Sequence, residues 1–181
     1  LVMTETPTLE NTTEEPSHLT NQRFDQFGLR PELLKGLAKT GFEYCTEIQA
    51  EALPLVLAGV DVAGQAHTGT GKTAAFLLAI FQRLLANPPV DLRNKGAVRA
   101  VVLAPTRELA IQIHRDAQTL GAFTGLRFGL VYGGTGYQQQ RTDLVNGVDV
   151  LIGTPGRLID YFKQGLFSLT HVEVIVLDEA D

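Results

Sequence analysis

At 181 residues, with 44% hydrophobic and 19% charged side chains, the chain has room for one packed domain and too little for two ordinary ones. It contains no run of 18 apolar residues, which excludes a helical membrane span, and its start lacks the basic-then-apolar pattern of a secretory leader. The net charge of -5 excludes a broad basic surface, so any grip on nucleic acid must come from local groups, and the lone Cys45 excludes an internal disulfide and suits a reducing cytoplasm.

Residues 1–21 are rich in threonine and glutamate and poor in large apolar groups, so they cannot repay their ordering entropy and are expected to form a flexible acidic tail. Met3, the one methionine, marks the expected start of translation. After Arg23 the texture changes. Pro31 suits a first helical turn, Leu33, Leu34 and Leu37 follow at helical spacing, and Gly41 stops the segment. A second short helix is predicted over 47–57.

From there, short apolar runs at 61–65, 98–104, 127–132, 148–153 and 172–177 alternate with helical patterns at about 72–86, 107–121, 136–146 and 156–164. The first of these helices is apolar nearly all round, as a buried helix would be. Strands apolar on both faces and separated by helices imply an α/β domain, doubly wound, with a mostly parallel sheet covered on both sides. Such folds bind ligands where the carboxyl ends of the strands open into a crevice. Polar or glycine-rich residues do gather just after every expected strand: at 66–73, 105–110, 133–134, 154–157 and 178–181. One edge of the sheet is therefore the expected active face.

Ala66, His67, Thr68, Gly69, Thr70, Gly71, Lys72 and Thr73 fit the phosphate-loop pattern, with Ala66 where the strict form has glycine. Gly69 and Gly71 let the backbone curl so that successive N–H groups point at phosphate oxygens, and the following helix adds its positive end. Lys72 places a cation on the terminal phosphates, and the Thr73 hydroxyl can complete a magnesium shell. His67 is read as a variable loop position, not a metal ligand. At the other end of the chain, the apolar run through Leu177 stops in carboxylates. Asp178 has the place of the strand-end acid that holds magnesium through water, and Glu179 that of the group that orients and deprotonates an attacking water.

Asp178, Glu179, Ala180 and Asp181 spell the DEAD box, and from about Phe24 onward the chain resembles the DEAD-box RNA helicases. Residues 41–49, from Gly41 to Gln49, look like the family's Q motif. The resemblance implies that Gln49 reads the adenine edge and that Phe24, 17 residues before Gly41, stacks on the ring. Pro105, Thr106 and Arg107, then Gly133 and Gly134, then Thr154, Pro155, Gly156 and Arg157, match the family's RNA-contacting motifs. Hydroxyls, arginines and helix-start N–H groups of this kind grip phosphates without reading bases. Segments 61–66 and 147–161 look closest to bacterial helicases associated with the RNA degradosome.

The resemblance implies a RecA-like first domain over 22–181, with ATP and magnesium as cofactors and RNA as a sequence-nonspecific partner. It also implies a second RecA-like domain of the parent chain, a degradosome or ribosome-assembly protein as further partner, no membrane and a monomer. Two departures stand out. Glu47 replaces the usual proline of the Q motif, a change that the helix dipole tolerates. The chain also stops at Asp181, before the family's Ser-Ala-Thr motif and second domain, so the fragment is expected to have negligible turnover. Rival readings are a phosphate-loop translocase acting on DNA, a non-catalytic RNA clamp, and a structural domain with an incidental glycine loop.

Overall fold

The computed structural model describes residues 19–65, 69–89, 97–134 and 136–179. In chain order these form β1 (Leu19–Arg23), a single 3-10 turn (Phe24–Phe27), α1 (Pro31–Thr40), β2 (Tyr44–Thr46), α2 (Glu47–Leu57) and α3 (Lys72–Ala86). Then come β3 (Ala100–Leu103), α4 (Arg107–Leu120), β4 (Phe128–Val131), α5 (Tyr137–Val145), β5 (Val150–Gly153), α6 (Pro155–Lys163) and β6 (Val174–Leu177). Strands β3 to β6 make a four-stranded sheet in the order β4-β5-β3-β6, with every pairing parallel. Strands β1 and β2 make a separate antiparallel pair. The alternation read from the sequence is thus an α/β RecA-like fold.

Side chains along the sheet alternate between two cores. Ala100, Val102, Ala104, Val150 and Ile152 face α3 and α4, which contribute Leu77, Phe81, Ala110, Ile113 and Leu120. Val101, Leu151 and Val131 face the opposite way, onto Leu144 of α5 and Leu158 and Tyr161 of α6. The chain moves across the sheet in one direction from β3 to β4 through α4. It moves in the other direction from β4 to β5 and from β5 to β6. Crossovers of constant hand then require helices on opposite faces, as found. Helix α3 is buried nearly all round, as its composition predicts.

Local signals account for the boundaries of the helices. Pro31 starts α1 and left-handed Gly41 ends it, with the Gly41 N–H donating to Ala38 and Leu37 carbonyls. Gly36 lies against α4 so closely that a Cβ there would stand 2.0 Å from the Leu120 carbonyl oxygen. At the amino end of the sheet, the Arg99 guanidinium, 3% exposed, pairs with Glu173 at 2.6 Å and donates to the carbonyls of Leu84 and Asn87. It ties the end of α3 to the start of β6.

Two expectations need correction. The run at 61–65 is not a strand: it lies exposed and finds no ladder partner among the described residues, and an extended segment without a neighbour gains nothing from strand geometry. Leu19, Thr20 and Asn21, assigned to the tail, belong to β1, whose pairing with β2 is helped by the Thr20 hydroxyl donating to the Cys45 carbonyl at 2.9 Å. Strand β6 is the outermost of the sheet, and Ile175 and Leu177 stand exposed on the face that α5 and α6 leave bare.

Candidate nucleotide and nucleic-acid site

The phosphate loop leads into the amino end of α3. Gly69 and Gly71 have φ of 84° and 87°, a region that glycine enters without steric cost. Gly71 is the N-cap of α3 and offers no capping side chain, so Lys72 and Thr73 open the helix. The first N–H groups of a helix have no intrahelical acceptor, and they carry the positive end of its dipole. The loop's chemistry therefore fits an anion: flexible turns, amide donors, a cation and a hydroxyl. Ala66, His67 and Thr68 lie outside the described residues, as do Ala180 and Asp181.

A second segment braces this loop from behind. Thr46 is the N-cap of α2 and forms a reciprocal capping box with Gln49. The Thr46 hydroxyl donates to the Thr70 carbonyl at 2.7 Å, and the Gln49 side-chain N–H donates to the Gly71 carbonyl at 3.0 Å. Gln49 is only 3% exposed, and its Oε1 accepts from the Thr46 N–H at 2.9 Å. The Gln49 amide is thus turned onto the phosphate loop and its own helix cap. Phe24 is buried, yet it helps line a cavity of about 440 Å³ with Leu34, Leu37, Gly41, Phe42 and Glu43. Gln49 is not among the residues lining that cavity.

Asp178 directly follows β6, where its N–H continues the parallel ladder by donating to the Leu103 carbonyl at 2.9 Å. Its carboxylate accepts from the Glu179 N–H at 3.1 Å. Glu179 is the one described non-glycine residue with positive φ, at 50°. A side chain held in the left-handed region costs on the order of 1–3 kcal/mol, and such strain persists where the surroundings impose it.

The remaining predicted residues share the carboxyl edge of the sheet. Thr106 caps α4 by accepting from the Leu109 N–H at 3.2 Å, leaving Pro105 and Arg107 exposed. The Arg107 guanidinium lies 4.7 Å from the centre of the Tyr132 ring. Gly133 and Gly134 follow Tyr132, and a Cβ on either would meet nothing within 4 Å. Thr154 is the N-cap of α6, Pro155 and Gly156 are exposed, and Arg157 is half-buried. Pro105, Thr106, Arg107, Gly133, Gly134, Pro155 and Gly156 are therefore an exposed set on three neighbouring loops. Arg157 differs: its guanidinium lies 5.1 and 5.2 Å from the centres of the Tyr137 and Tyr161 rings and donates to Gln140 Oε1 at 3.2 Å.

The DEAD/DEAH box helicase model matches residues 46–181, three quarters of the chain. The chain belongs to the DEAD/DEAH box helicase family. Among curated relatives of this helicase domain, the ATP-dependent RNA helicase RhlB of Aeromonas salmonicida (strain A449) is 56% identical over 165 residues, covering 91% of the chain and 38% of that relative. The protein of the same name from Salmonella arizonae is 58% identical, covering 91% of the chain and 39% of the relative. That from Vibrio cholerae serotype O1 (strain ATCC 39541 / Classical Ogawa 395 / O395) is 55% identical, covering 91% and 38%. The chain thus spans well under half the length of the relatives it matches.

Sequence reasoning missed several side chains that link these loops. Tyr137, Gln140 and Tyr161 contact Arg157, Tyr132 joins them through its N–H to Gln140, and nothing in their spacing marks them. The one available signal was Gln140 standing one turn before Leu144 on α5, a polar side chain on the buried face. No helix among the described residues is long and apolar enough to cross a membrane.

Proposed function

We propose that this chain is the nucleotide-binding part of an ATP-driven enzyme that remodels RNA, the activity named for its relatives. The observation that carries the reading is the pair of left-handed glycines, Gly69 and Gly71, leading into the N-terminus of α3, which has no side-chain cap and has Lys72 and Thr73 at its first turn. That arrangement suits the tail of a triphosphate. Lys72 would lie on the terminal phosphates. Glu179 would orient a water and take its proton as the water oxygen bonds to the γ-phosphorus and the bridging oxygen leaves with ADP.

Magnesium fits the donor set of one hydroxyl and one carboxylate: Thr73 would ligate it directly and Asp178 through water, and it would neutralise phosphate charge. Phe24 and Gln49 would recognise adenine, which requires the Gln49 amide to leave Gly71. Ala66 and Thr68 complete the proposed nucleotide loop.

The exposed loops at Pro105, Thr106 and Arg107, at Gly133 and Gly134, and at Thr154, Pro155, Gly156 and Arg157 would contact one RNA strand. Contacts to backbone phosphates and 2′-hydroxyls, without base readout, suit an enzyme indifferent to sequence. In the full-length protein a second RecA-like domain would supply the arginines that stabilise the transition state, worth about 10³–10⁵ in rate in related enzymes. The chain alone would therefore turn over negligibly. RNA decay or ribosome assembly is the proposed setting, in the cytoplasm, as a monomer with a degradosome or ribosome-assembly protein as partner.

The test is a titration of the full-length protein with ATP, ADP, GTP and CTP. It should select adenine, Lys72→Ala should abolish binding, and Glu179→Gln should bind ATP without hydrolysing it. RNA but not DNA should stimulate the wild-type rate. Equal ATP affinity in wild type and Lys72→Ala would overturn the phosphate-loop assignment.

A further inference from the structure

Two loops of the carboxyl edge meet at one buried side chain that none of the motifs includes, and a third joins them through the Tyr132 ring. Gln140, on α5 and 6% exposed, accepts at Oε1 from the Tyr132 N–H at 3.1 Å and from Arg157 Nη1 at 3.2 Å. A buried amide oxygen is costly unless bonded, and here both of its lone pairs are used. Arg157 Nη1 also reaches the Tyr161 hydroxyl at 3.3 Å, and that hydroxyl donates to the Tyr137 carbonyl at 2.8 Å. The Tyr137 and Tyr161 rings meet edge to face, with centres 5.3 Å apart. Gly136 closes the arrangement from above: with φ of 70°, it lies where a Cβ would come within 3.1 Å of Gln140 Nε2.

The consequence follows from chain order. Tyr132 carries Arg107 on its ring and is followed at once by Gly133 and Gly134. Arg157 comes directly after Pro155 and Gly156. One amide oxygen therefore fixes the relative placement of the loops after β4 and β5, and through the Tyr132 ring that of the Arg107 guanidinium at the start of α4. The two glycines after Tyr132 have no side chains to restrict them, and Gly134 sits at φ 96°. Glycine backbone has wide conformational freedom of its own.

We propose that Gln140 is a positioning residue for the RNA-contacting edge. Its bonds to Tyr132 and Arg157 preset the backbone N–H groups of Gly133, Gly134 and Gly156, and the Arg107 side chain, for the phosphates of one RNA strand. Arg157 serves as the strut of this clamp. The inference rests on the reading of this edge as an RNA-contacting surface. Presetting these groups removes their ordering cost from the binding step.

The experiment uses the full-length protein with Gln140→Leu, an apolar replacement of similar size, and Gln140→Glu, which keeps both acceptor positions beside Arg157. Single-stranded homopolymer RNA affinity is measured over a series of salt concentrations, alongside fluorescent ADP affinity and the thermal midpoint. Gln140→Leu should lose about tenfold in RNA affinity, with the salt slope reduced by about one phosphate contact and ADP affinity unchanged. Gln140→Glu should restore most of the loss. If Gln140→Leu does not fold, Gln140→Asn, one methylene too short to span both donors, should show the same loss.

Wild-type affinity and slope in Gln140→Leu or Gln140→Asn would overturn the inference alone. So would a parallel fall in ADP affinity, RNA affinity and thermal midpoint, because that pattern belongs to a residue needed only for folding. A wild-type protein that binds no RNA would overturn the reading of the edge, and this inference with it.

Discussion

The side-chain N–H of Gln49 donates to the carbonyl of Gly71 at 3.0 Å, so the first turn of α2 holds the hinge of the phosphate loop. A Cβ on Gly71 would come 2.3 Å from the Gln49 side-chain nitrogen, which shows how little space separates them. Gln49→Ala should remove this bond and half of the α2 capping box. The expected cost is about 1–2 kcal/mol in urea unfolding and about tenfold in fluorescent ADP affinity. Gln49→Glu should be worse, because a carboxylate oxygen would face the Gly71 carbonyl. ADP affinity unchanged in both variants would show that the brace has no bearing on nucleotide.

Gly36 is a tight crossing point between α1 and α4. Gly36→Ala would drive a methyl group into the Leu120 carbonyl of α4, and backbone cannot swing away as a side-chain tip can. Overpacking of this kind should cost on the order of 3 kcal/mol despite alanine's better helix propensity. Equilibrium urea unfolding reads this directly, and a stabilised variant would contradict the packing described.

Glu179 holds a left-handed backbone that a carboxylate side chain disfavours. Glu179→Asn keeps a polar side chain but tolerates that conformation better, so the thermal midpoint should rise by a degree or more, corresponding to a few tenths of a kcal/mol. Hydrolysis by the full-length protein should vanish in the same variant. A lowered midpoint would mean that the strain is not borne by residue 179.

Burial pushes the His114 imidazole below its ordinary value, outweighing the Phe128 backbone and the Asp143 charge, which both raise it. The unfolded chain then takes up the proton first. Stability contributed by neutral His114 is complete above about pH 6.5 and is lost as pH falls below that value. His114→Gln should flatten the decline of unfolding free energy between pH 7 and pH 5. Asp116 works in the opposite sense: burial raises its carboxyl against the lowering effect of Gln112, so its contribution is recovered as pH falls through the raised value. Asp116→Asn should therefore stabilise at neutral pH and lose that advantage in acid. Parallel pH profiles for wild type and His114→Gln would refute the first assignment.

Helices α1, α2, α3 and α4 begin within a residue of Pro31, Thr46, Gly71 and Thr106, and α1 ends at Gly41, because caps act over one turn. The parallel sheet was legible for a similar reason, since burial on both faces leaves an unbroken apolar run. The run at 61–65 misled because composition reports a wish for burial, and a strand also needs a neighbour. The phosphate loop could be read from its own residues. Its contact with Gln49 could not, because it joins positions 22 apart across two elements. The Gln140 clamp was hidden in the same way: amide, guanidinium and ring are ordinary surface chemistry until folding encloses them.

Ile175 and Leu177 project from β6 onto an uncovered face, and among the described residues the outer edge of β6 pairs with no other strand. A border of this kind is sticky by construction, since a passing extended segment can join it without rearranging anything. Handled as a free-standing piece, the domain should cling to itself as its concentration rises, and a lysine at position 175 or 177 should keep it in solution.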